Sequence, residues 1–307
     1  MPELRTPASR SDLRLLKRLR RITSGDRGFY LLLSAPILLV LLLTSVPLVL
    51  TAYYSLLDWN LARPLDRAFV GAENYGRLLT NSLFWTAVYN SFYQVFGTVV
   101  LQVLIGIPVA LLLNRDIAGI RVLRTLYLFP MMTTPIVVGL TWRMLLNTEF
   151  GVVNYALGSV GLPTPNWLGH PTWAMPSIIL TDVWLSTPFV ALIVLAGLQT
   201  IPEELYEAAR VDGATGWSQF WAITLPLLKP VLLIAVLFRI MDAFKRFDTI
   251  LIMTGGGPGT ATETLNLHAY FHGFQYLNMG YAAAITMLML TIVLALSTAL
   301  VLRSLRD

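Results

Sequence analysis

The sequence predicts an all-α integral membrane protein with six transmembrane helices. Of its 307 residues, 56% are hydrophobic and only 13% are charged, and the mean hydropathy is +0.66. Soluble globular domains carry about a quarter charged residues, so this composition excludes an ordinary soluble fold. Apolar stretches of the roughly twenty residues needed to cross a bilayer recur along the chain. We therefore expect one membrane domain to take up almost the whole sequence.

The predicted spans are bounded by the polar residues that interrupt the apolar stretches. The spans cover residues 29–57, 85–113, 125–146, 172–198, 230–253 and 281–302. The first stretch is far longer than the apolar core of a secretory signal peptide, so we expect an uncleaved span there. The predicted domains are a basic N-terminal segment (1–28), the six-helix membrane domain (29–303) and a short tail (304–307).

The distribution of lysine and arginine predicts that both termini are cytoplasmic. With the N-terminus inside, the inner segments carry 8, 3, 2 and 2 basic residues, and the outer loops carry 3, 0 and 0. Short cytoplasmic loops are enriched in lysine and arginine relative to outer loops. The net charge of +5 is thus a sign of membrane topology, and we expect no nucleic-acid partner.

Residues for covalent chemistry or cofactor binding are lacking in the sequence. Without cysteine there is no disulfide, thiolate metal site or cysteine nucleophile. None of the three lysines follows a glycine, which excludes a phosphate-binding P-loop, and we interpret the Gly-rich run 255–259 as a tight turn. His268 and His272 are four residues apart, but we expect them at the surface rather than on a metal. We predict no catalytic residue, metal site or bound cofactor.

A polar stretch after the fourth span has the pattern of two short helices joined by a glycine bend. Thr200 followed three residues later by Glu203 matches a capping box at a helix start. Gly213 is expected to end this helix. A second short helix is predicted over residues 217–223, ending before Pro226. Such a structure at a membrane surface suits the docking of a soluble partner.

At these residues the chain resembles the EAA loop of ABC importer permeases, in particular the carbohydrate-uptake branch. The matching residues are Glu207, Ala208, Ala209, Asp212, Gly213, Ala214, Phe220, Ile223, Leu225 and Pro226. The resemblance covers about twenty residues of the loop 200–226, and the hydropathy layout of nearly the whole chain agrees with it. It implies a type I ABC importer permease bundle whose cytoplasmic coupling helix docks on an ATPase through residues 207–209 and 212–214.

The resemblance also implies the partners of this chain. These would be a second homologous permease subunit, two cytoplasmic ATPase subunits that use ATP and Mg, and an extracytoplasmic solute-binding protein. The assembly would lie in a bacterial cytoplasmic membrane. The permease itself would bind no cofactor and perform no catalysis.

The fifth predicted span contains five charged residues, which are Arg239, Asp242, Lys245, Arg246 and Asp248. Each charge at the bilayer centre costs roughly 2.5–3.5 kcal/mol on insertion scales, so these side chains need partners or water. Their spacing permits the pairs Arg239–Asp242, Lys245–Asp248 and Asp242–Arg246 along one helix. The charges either form a buried network that locks helices together or line a polar cavity open to the outside, and both can hold.

The fourth span carries a proline flanked by hydroxyl and aromatic side chains. These neighbours of Pro188 are Trp184, Ser186, Thr187 and Phe189. A proline interrupts the helical hydrogen bonds, and the adjacent side chains offer the hydrogen bonds and flat apolar faces on which sugars bind. The alternative is a proline kink packed on its neighbours. The resemblance also implies substrate contacts on this helix and on the fifth.

We therefore predict a permease subunit of an ATP-driven, binding-protein-dependent importer for a sugar or oligosaccharide. The five charges of the fifth span sum to +1, which leaves a phosphorylated polyol such as glycerol 3-phosphate open as the substrate. A further alternative is an ion-coupled secondary transporter that uses the fifth span as its relay.

Overall fold

The computed structural model describes residues 26–304, so most of the predicted segments 1–28 and 304–307 lies outside the described residues. The chain divides between Tyr53 and Tyr54 into two compact units. The first contains all but the last residue of helix α1, Asp26–Tyr54, whose residues 36–54 have a mean hydropathy of 2.2. This helix coincides closely with the first predicted span.

The second unit is built almost entirely of helices. They are α2 (Glu73–Thr80), α3 (Ser82–Leu113), α4 (Ile120–Leu128), α5 (Pro135–Leu145), α6 (Val152–Ser159), α7 (Pro171–Leu198), α8 (Glu203–Val211), α9 (Gly216–Gln219), α10 (Leu225–Phe244), α11 (Asp248–Met253), α12 (Leu265–Tyr270) and α13 (Met279–Ser304). One 3₁₀ turn, Pro130–Met132, and two π turns, Phe220–Thr224 and Phe271–Gln275, supplement them. Strands β1 (Leu57–Trp59) and β2 (Arg67–Phe69) form an antiparallel hairpin in which Leu57 pairs with Phe69.

Five helical runs of the described chain are long and apolar enough to cross a membrane. They are α1, α3, α7, the continuous run Gly216–Phe244 and α13. The third predicted span is not a straight helix, because Ile120–Met132 and Pro135–Leu145 meet at 94°, and together they would form the sixth span. Pro130 and Pro135 cause this break, since proline cannot donate a helical hydrogen bond and keeps the preceding Thr134 extended.

The fifth predicted span differs from the structure at both ends. It is interrupted at residues 245–247, where α10 ends and α11 begins. It also begins earlier, because no break separates the short helix after Gly213 from α10, so the predicted helix end before Pro226 is wrong. The intervening π turn explains this: Leu225 N–H donates to Phe220 C=O five residues back, and the wider turn accommodates the proline ring.

The loops between the predicted spans contain short ordered elements, including the hairpin and helices α2, α6 and α12. Buried Asn74 on α2 donates hydrogen bonds of 2.9 Å to the carbonyl groups of both Ser55 and Leu57, which fixes the hairpin. Gly280 allows the start of α13 to approach the hairpin, because a Cβ there would lie 2.0 Å from Leu57 O.

Helices α3 and α7 form the central pair of the second unit, with Ala110 and Val194 among the buried residues between them. Gly106 of α3 lies against Val190 of α7, where a Cβ would be 2.9 Å from Val190 Cγ1 and 3.2 Å from its Cβ. Small residues permit such close helix contacts in membranes. Helix α10 packs on the same pair and on α13, which places the fifth span beside the fourth.

We expect Gly106→Ala to lower the melting temperature of the detergent-purified protein, because the added methyl group overlaps the short, branched side chain of Val190. Gly76→Ala is the matched control: it lies within helix α2 with nothing within 4 Å of the added Cβ. There the substitution should be neutral or stabilising by up to about 1 kcal/mol. Equal melting temperatures for the two variants would contradict this account of the α3–α7 contact.

Candidate functional site

The charged face of α10 meets a buried carboxylate of α7. Asp182 is 0% exposed, and its Oδ2 accepts a hydrogen bond of 3.2 Å from Arg239 Nη2. Arg239, itself 4% exposed, also donates from Nη1 to Asp242 Oδ2 at 2.6 Å and from Nε to Gln102 Oε1 at 2.7 Å. All three guanidinium nitrogens of Arg239 are therefore engaged by protein groups.

A second arginine completes this arrangement. Arg246 Nη2 lies 2.9 Å from Asp182 Oδ1 and 2.8 Å from Asp242 Oδ2. Asp182 thus bridges two guanidinium groups with one carboxylate oxygen for each. We call Gln102, Asp182, Arg239, Asp242 and Arg246 the Asp182 cluster. It contains two arginines and two aspartates and is electrically neutral.

The structure forms two of the three ion pairs that the spacing permits on the fifth span. Arg239–Asp242 and Asp242–Arg246 are present. Among the described residues no ion pair joins Lys245 to Asp248, because α10 ends before Lys245 and α11 starts at Asp248, so the helical spacing does not apply. Lys245 instead uses its carbonyl group to accept a hydrogen bond from Asn266.

Two members of the cluster, Asp182 and Gln102, are not among the residues predicted from the sequence. A signal for Asp182 is present, because it is the single charged residue between positions 172 and 198. An ionisable residue inside a membrane span requires a partner, and the arginines of the fifth span were the obvious candidates. Gln102 donates from Nε2 to the backbone carbonyl of Asp182 at 3.1 Å, which ties α3 to the same point.

A cavity of about 350 Å³ opens beside the Asp182 cluster, which is within the size range of small-molecule sites. Its lining residues are Met131, Thr133, Pro135, Leu185, Ser186, Phe189, Phe238, Arg239, Asp242 and Arg246. Charged groups form one wall, and the rings of Phe189 and Phe238 contribute apolar faces. A polar wall combined with flat apolar faces suits a ligand with both hydroxyl and C–H surfaces.

Two helix breaks border this cavity. Met131, Thr133 and Pro135 come from the break between α4 and α5, and Arg246 comes from the break between α10 and α11. Non-helical backbone at membrane depth is tolerated where it is buried in protein or lines a water-filled cavity. The positions of the breaks therefore support a hydrated cavity in the interior of the helical bundle.

The other residues predicted for the substrate pathway divide between the cavity and the surrounding packing. Ser186 and Phe189 line the cavity. Trp184 instead packs edge-to-face on Trp142, with ring centroids 6.0 Å apart, and Thr187 donates its hydroxyl hydrogen to the carbonyl of Val183 in its own helix. Lys245 and Asp248 are also absent from the cavity wall.

Two side chains of the Asp182 cluster carry polar atoms without a partner within residues 26–304. Asp242 uses Oδ2 for both arginines, which leaves its Oδ1 without a described hydrogen bond, and this side chain is 53% exposed. Arg246 contacts described groups through Nη2 alone, and its Nε is enclosed by protein. Asp242 thus offers a hydrogen-bond acceptor to a ligand in the cavity.

The predicted docking loop forms a short, exposed helix followed by a left-handed turn. Helix α8 contains Glu207, Ala208 and Ala209, and none of its residues is buried. Asp212 ends the helix, Gly213 has φ +79°, and Ala214 N–H donates to Ala209 C=O at 2.8 Å. The glycine bend is thus confirmed.

The predicted capping box is wrong. The helix starts at Glu203 with Pro202 in the cap position, and Thr200 Oγ1 donates to the carbonyl of Gly197 at 2.7 Å instead. The hydroxyl therefore satisfies a carbonyl at the end of α7 rather than an N–H at the start of α8.

The expected surface position of His268 is also wrong, because this imidazole is only 2% exposed. Its Nδ1 lies 2.5 Å from Glu263 Oε1, which the loop before α12 brings into reach. Burial, followed by the neighbouring His268, lowers the pKa of His272 to about 4. No group of three or more metal-ligating residues occurs in the described part of the chain.

Known proteins with similar sequences are permeases of transport systems. A family model described as binding-protein-dependent transport system inner membrane component matches residues 83–307. The trehalose/maltose transport system permease protein MalF of Thermococcus litoralis is 40% identical over 271 residues, which are 88% of this chain and 90% of the relative. The sulfoquinovosyl glycerol transport system permease protein SmoG of Agrobacterium fabrum is 37% identical over 307 residues, covering 100% of this chain and 99% of the relative.

Solved structures identify the fold. One chain of a bacterial ABC transporter involved in the import of the acidic polysaccharide alginate superposes with a TM-score of 0.80 at 23% identity, covering 95% of this chain and 99% of that chain. A chain of a bacterial alginate ABC transporter in complex with an alginate pentasaccharide-bound periplasmic protein superposes with a TM-score of 0.78 at 22% identity, covering 92% of this chain and 96% of that chain. The predicted type I ABC importer permease fold is confirmed, and this chain belongs to the family of binding-protein-dependent transport system inner membrane components, the permease subunits of ABC importers.

Proposed function

We propose that this chain is a permease subunit of an ATP-driven importer for a neutral sugar or oligosaccharide, and that the sugar crosses through the cavity beside the Asp182 cluster. The observation that carries this proposal is the neutrality of the cluster, in which two arginines are compensated by two aspartates. The relative named for trehalose and maltose supports the same substrate class.

The free groups of the cavity match the chemistry of a sugar. A sugar hydroxyl donates one hydrogen bond and accepts others, so it can donate to Asp242 Oδ1. Phe189 and Phe238 offer apolar faces to the C–H surface of the ring. An apolar ligand would displace water from the charged wall without replacing its hydrogen bonds, which favours a polyhydroxylated ligand.

The same geometry weakens the case for a phosphorylated polyol. The charge of +1 that favoured it counted Lys245 and Asp248, which lie outside the cavity wall, and omitted Asp182. Arg239 uses each guanidinium nitrogen on a protein group and has none left for a phosphate. An anionic substrate would have to bind Arg246, whose Nη2 already pairs with Asp182 and Asp242, and would lie beside the negative charge of these carboxylates.

Transport would be driven by ATP hydrolysis in two partner ATPase subunits, with Mg bound there. A second permease would complete the pathway, and an extracytoplasmic binding protein would deliver the sugar. We assign the docking surface to Glu207–Ala209 and Asp212–Ala214 because this segment is exposed and has the pattern of the coupling loop. We further propose a bacterial cytoplasmic membrane with both termini in the cytoplasm, in keeping with the distribution of basic residues.

Family membership argues against an ion-coupled secondary transporter, because the relatives are permeases of transport systems with several components. In this proposal the charges of the fifth span hold the helices and bind the sugar and do not relay ions.

We expect Asp242→Asn to reduce uptake of trehalose or maltose by about tenfold, since it weakens the acceptor for the sugar and the pairing of both arginines. Uptake would be measured in proteoliposomes containing the full transporter and its binding protein. Asp248→Asn is the matched comparison, because it makes the same change on the next helix outside the cavity wall. Equal losses in the two variants would contradict this location of the site.

Asp182→Asn should destabilise the protein by about 3–5 kcal/mol, because it leaves two buried arginines with one carboxylate. Thermal unfolding of the detergent-purified chain measures this loss. Adding Arg246→Gln to Asp182→Asn restores neutrality and should recover part of the lost stability. If the double variant is less stable than Asp182→Asn by as much as Arg246→Gln alone destabilises the wild-type protein, charge balance does not hold the cluster together.

Gly213→Arg should abolish uptake, and the ATPase should no longer co-purify with the complex. The variant chain should still insert into the membrane. The reason is that φ +79° costs an L-residue about 1–2 kcal/mol and the bend orients the docking helix. Gly119→Arg is matched in conformation, with φ +82° and no atom within 4 Å of an added Cβ, but lies outside the docking loop. Normal uptake by Gly213→Arg would refute the docking assignment.

A further inference from the structure

One hydrogen bond connects helix α8 to the base of the fifth span. The hydroxyl groups of Tyr206 and Thr224 are 2.9 Å apart, and Thr224 is 3% exposed. Among the hydrogen bonds of the described residues, it is the only one between α8 and the continuous helical run Gly216–Phe244. The remaining contact of α8 with the body of the protein is sparse, since no α8 residue is buried.

A cavity of about 1210 Å³ borders this hydrogen bond, and both Tyr206 and Thr224 line it. Side chains of the loop after α3, including Asn114 and Asp116, form the opposite wall. Space beside α8 means that packing alone does not fix its position relative to the fifth span. Besides the short peptide link of residues 212–215, the Tyr206–Thr224 bond is therefore the side-chain contact by which a displacement of α8 can act on that span.

Thr224 occupies the last position of the π turn, just before α10 begins. π turns leave helical hydrogen bonds less regular and are frequent at functional sites. From Thr224 the helix continues without a break to Arg239, fifteen residues further on, which is about 22 Å at the helical rise. Arg239 then enters the Asp182 cluster at the cavity. A rigid element thus joins the hydroxyl pair to the candidate substrate site.

We propose that Tyr206 and Thr224 are the positioning residues that transmit movement of the docking helix α8 to the fifth span. This inference rests on the proposed importer function. When the ATPases move α8, the hydrogen bond carries the start of α10 with it, and the helix transfers the shift to Arg239 and Asp242. Neither hydroxyl touches the substrate, so both act through α10.

The test uses the complete transporter in proteoliposomes with its binding protein, and its readout is the amount of maltose transported per ATP hydrolysed. Tyr206→Phe and Thr224→Val each remove one hydroxyl and preserve the shape of the side chain. We expect each to lower this ratio about fivefold, the effect of losing one hydrogen bond. The amount of ATPase that co-purifies should stay at the wild-type level, which separates transmission from docking.

A double variant distinguishes a shared bond from two independent structural effects. The Thr224 hydroxyl also donates to the carbonyl of Gln219 at 3.4 Å, so Thr224→Val removes this bond as well as the one to Tyr206. Tyr206→Phe with Thr224→Val should therefore be no worse than Thr224→Val alone, because Tyr206→Phe removes only an interaction that Thr224→Val already removes. Thr224→Ser retains a hydroxyl and should restore the ratio. Thr125→Val is the matched control, since the hydroxyl of Thr125 bonds only to the carbonyl of Arg121 in its own helix, and its ratio should be unchanged.

Losses that add in the double variant, or single variants with a wild-type ratio, would overturn the proposed link while leaving the importer function intact. A wild-type chain that takes up maltose without any ATPase would overturn the importer function and the link together. A drop in ATPase co-purification that fully accounts for lower uptake would also overturn the link, because the hydroxyls would then serve docking alone.

Discussion

The compensation of buried charge at Asp182 is the constraint on which the rest of the structure depends. A carboxylate that is 0% exposed among apolar helices is stable only when cations lie close to it, and Arg239 and Arg246 supply them. Because Asp182 lies on α7 and Arg239 lies on α10, their pairing also fixes the register of these two helices. Gln102 extends the constraint to α3, since it contacts both Arg239 and the backbone of residue 182. Three of the long helices therefore meet at one polar point.

The helix breaks and the cavity depend on each other. Interrupting a membrane helix exposes backbone groups that need hydrogen-bond partners, which lipid cannot provide. Both breaks, before Pro135 and after Phe244, lie beside the only polar cluster that joins three long helices within the described residues. The cluster keeps the neighbourhood polar enough to tolerate the breaks, and the breaks leave room for a cavity. A straight third span would fill the space that Met131 and Thr133 border.

The parts of this arrangement that depend on local hydropathy and on helical spacing are predictable from the sequence. The second and fourth spans, predicted at 85–113 and 172–198, end within three residues of Ser82–Leu113 and Pro171–Leu198, because hydropathy records helix length directly. The pair of Asp242 with Arg239 follows from helical spacing alone, whereas Arg246 lies just beyond the end of α10. The pairing of Asp182 with Arg239 spans 57 positions and leaves no periodic trace in the sequence. The buried His268 escaped prediction for the same kind of reason, since only tertiary packing encloses it.

The arrangement of the two arginines allows the cluster to move without exposing a bare charge. Arg239 lies on α10 and Arg246 lies in the break that follows it, seven residues along the chain, and each holds a different oxygen of Asp182. If α10 shifts along α7, one guanidinium can release the carboxylate while the other stays bound, and Asp242, which lies between them on the chain, stays paired with both. Asp182 is then never left unpaired, so the barrier to sliding avoids the full cost of a buried isolated charge. The interaction that fixes the resting register thus also provides a path between registers.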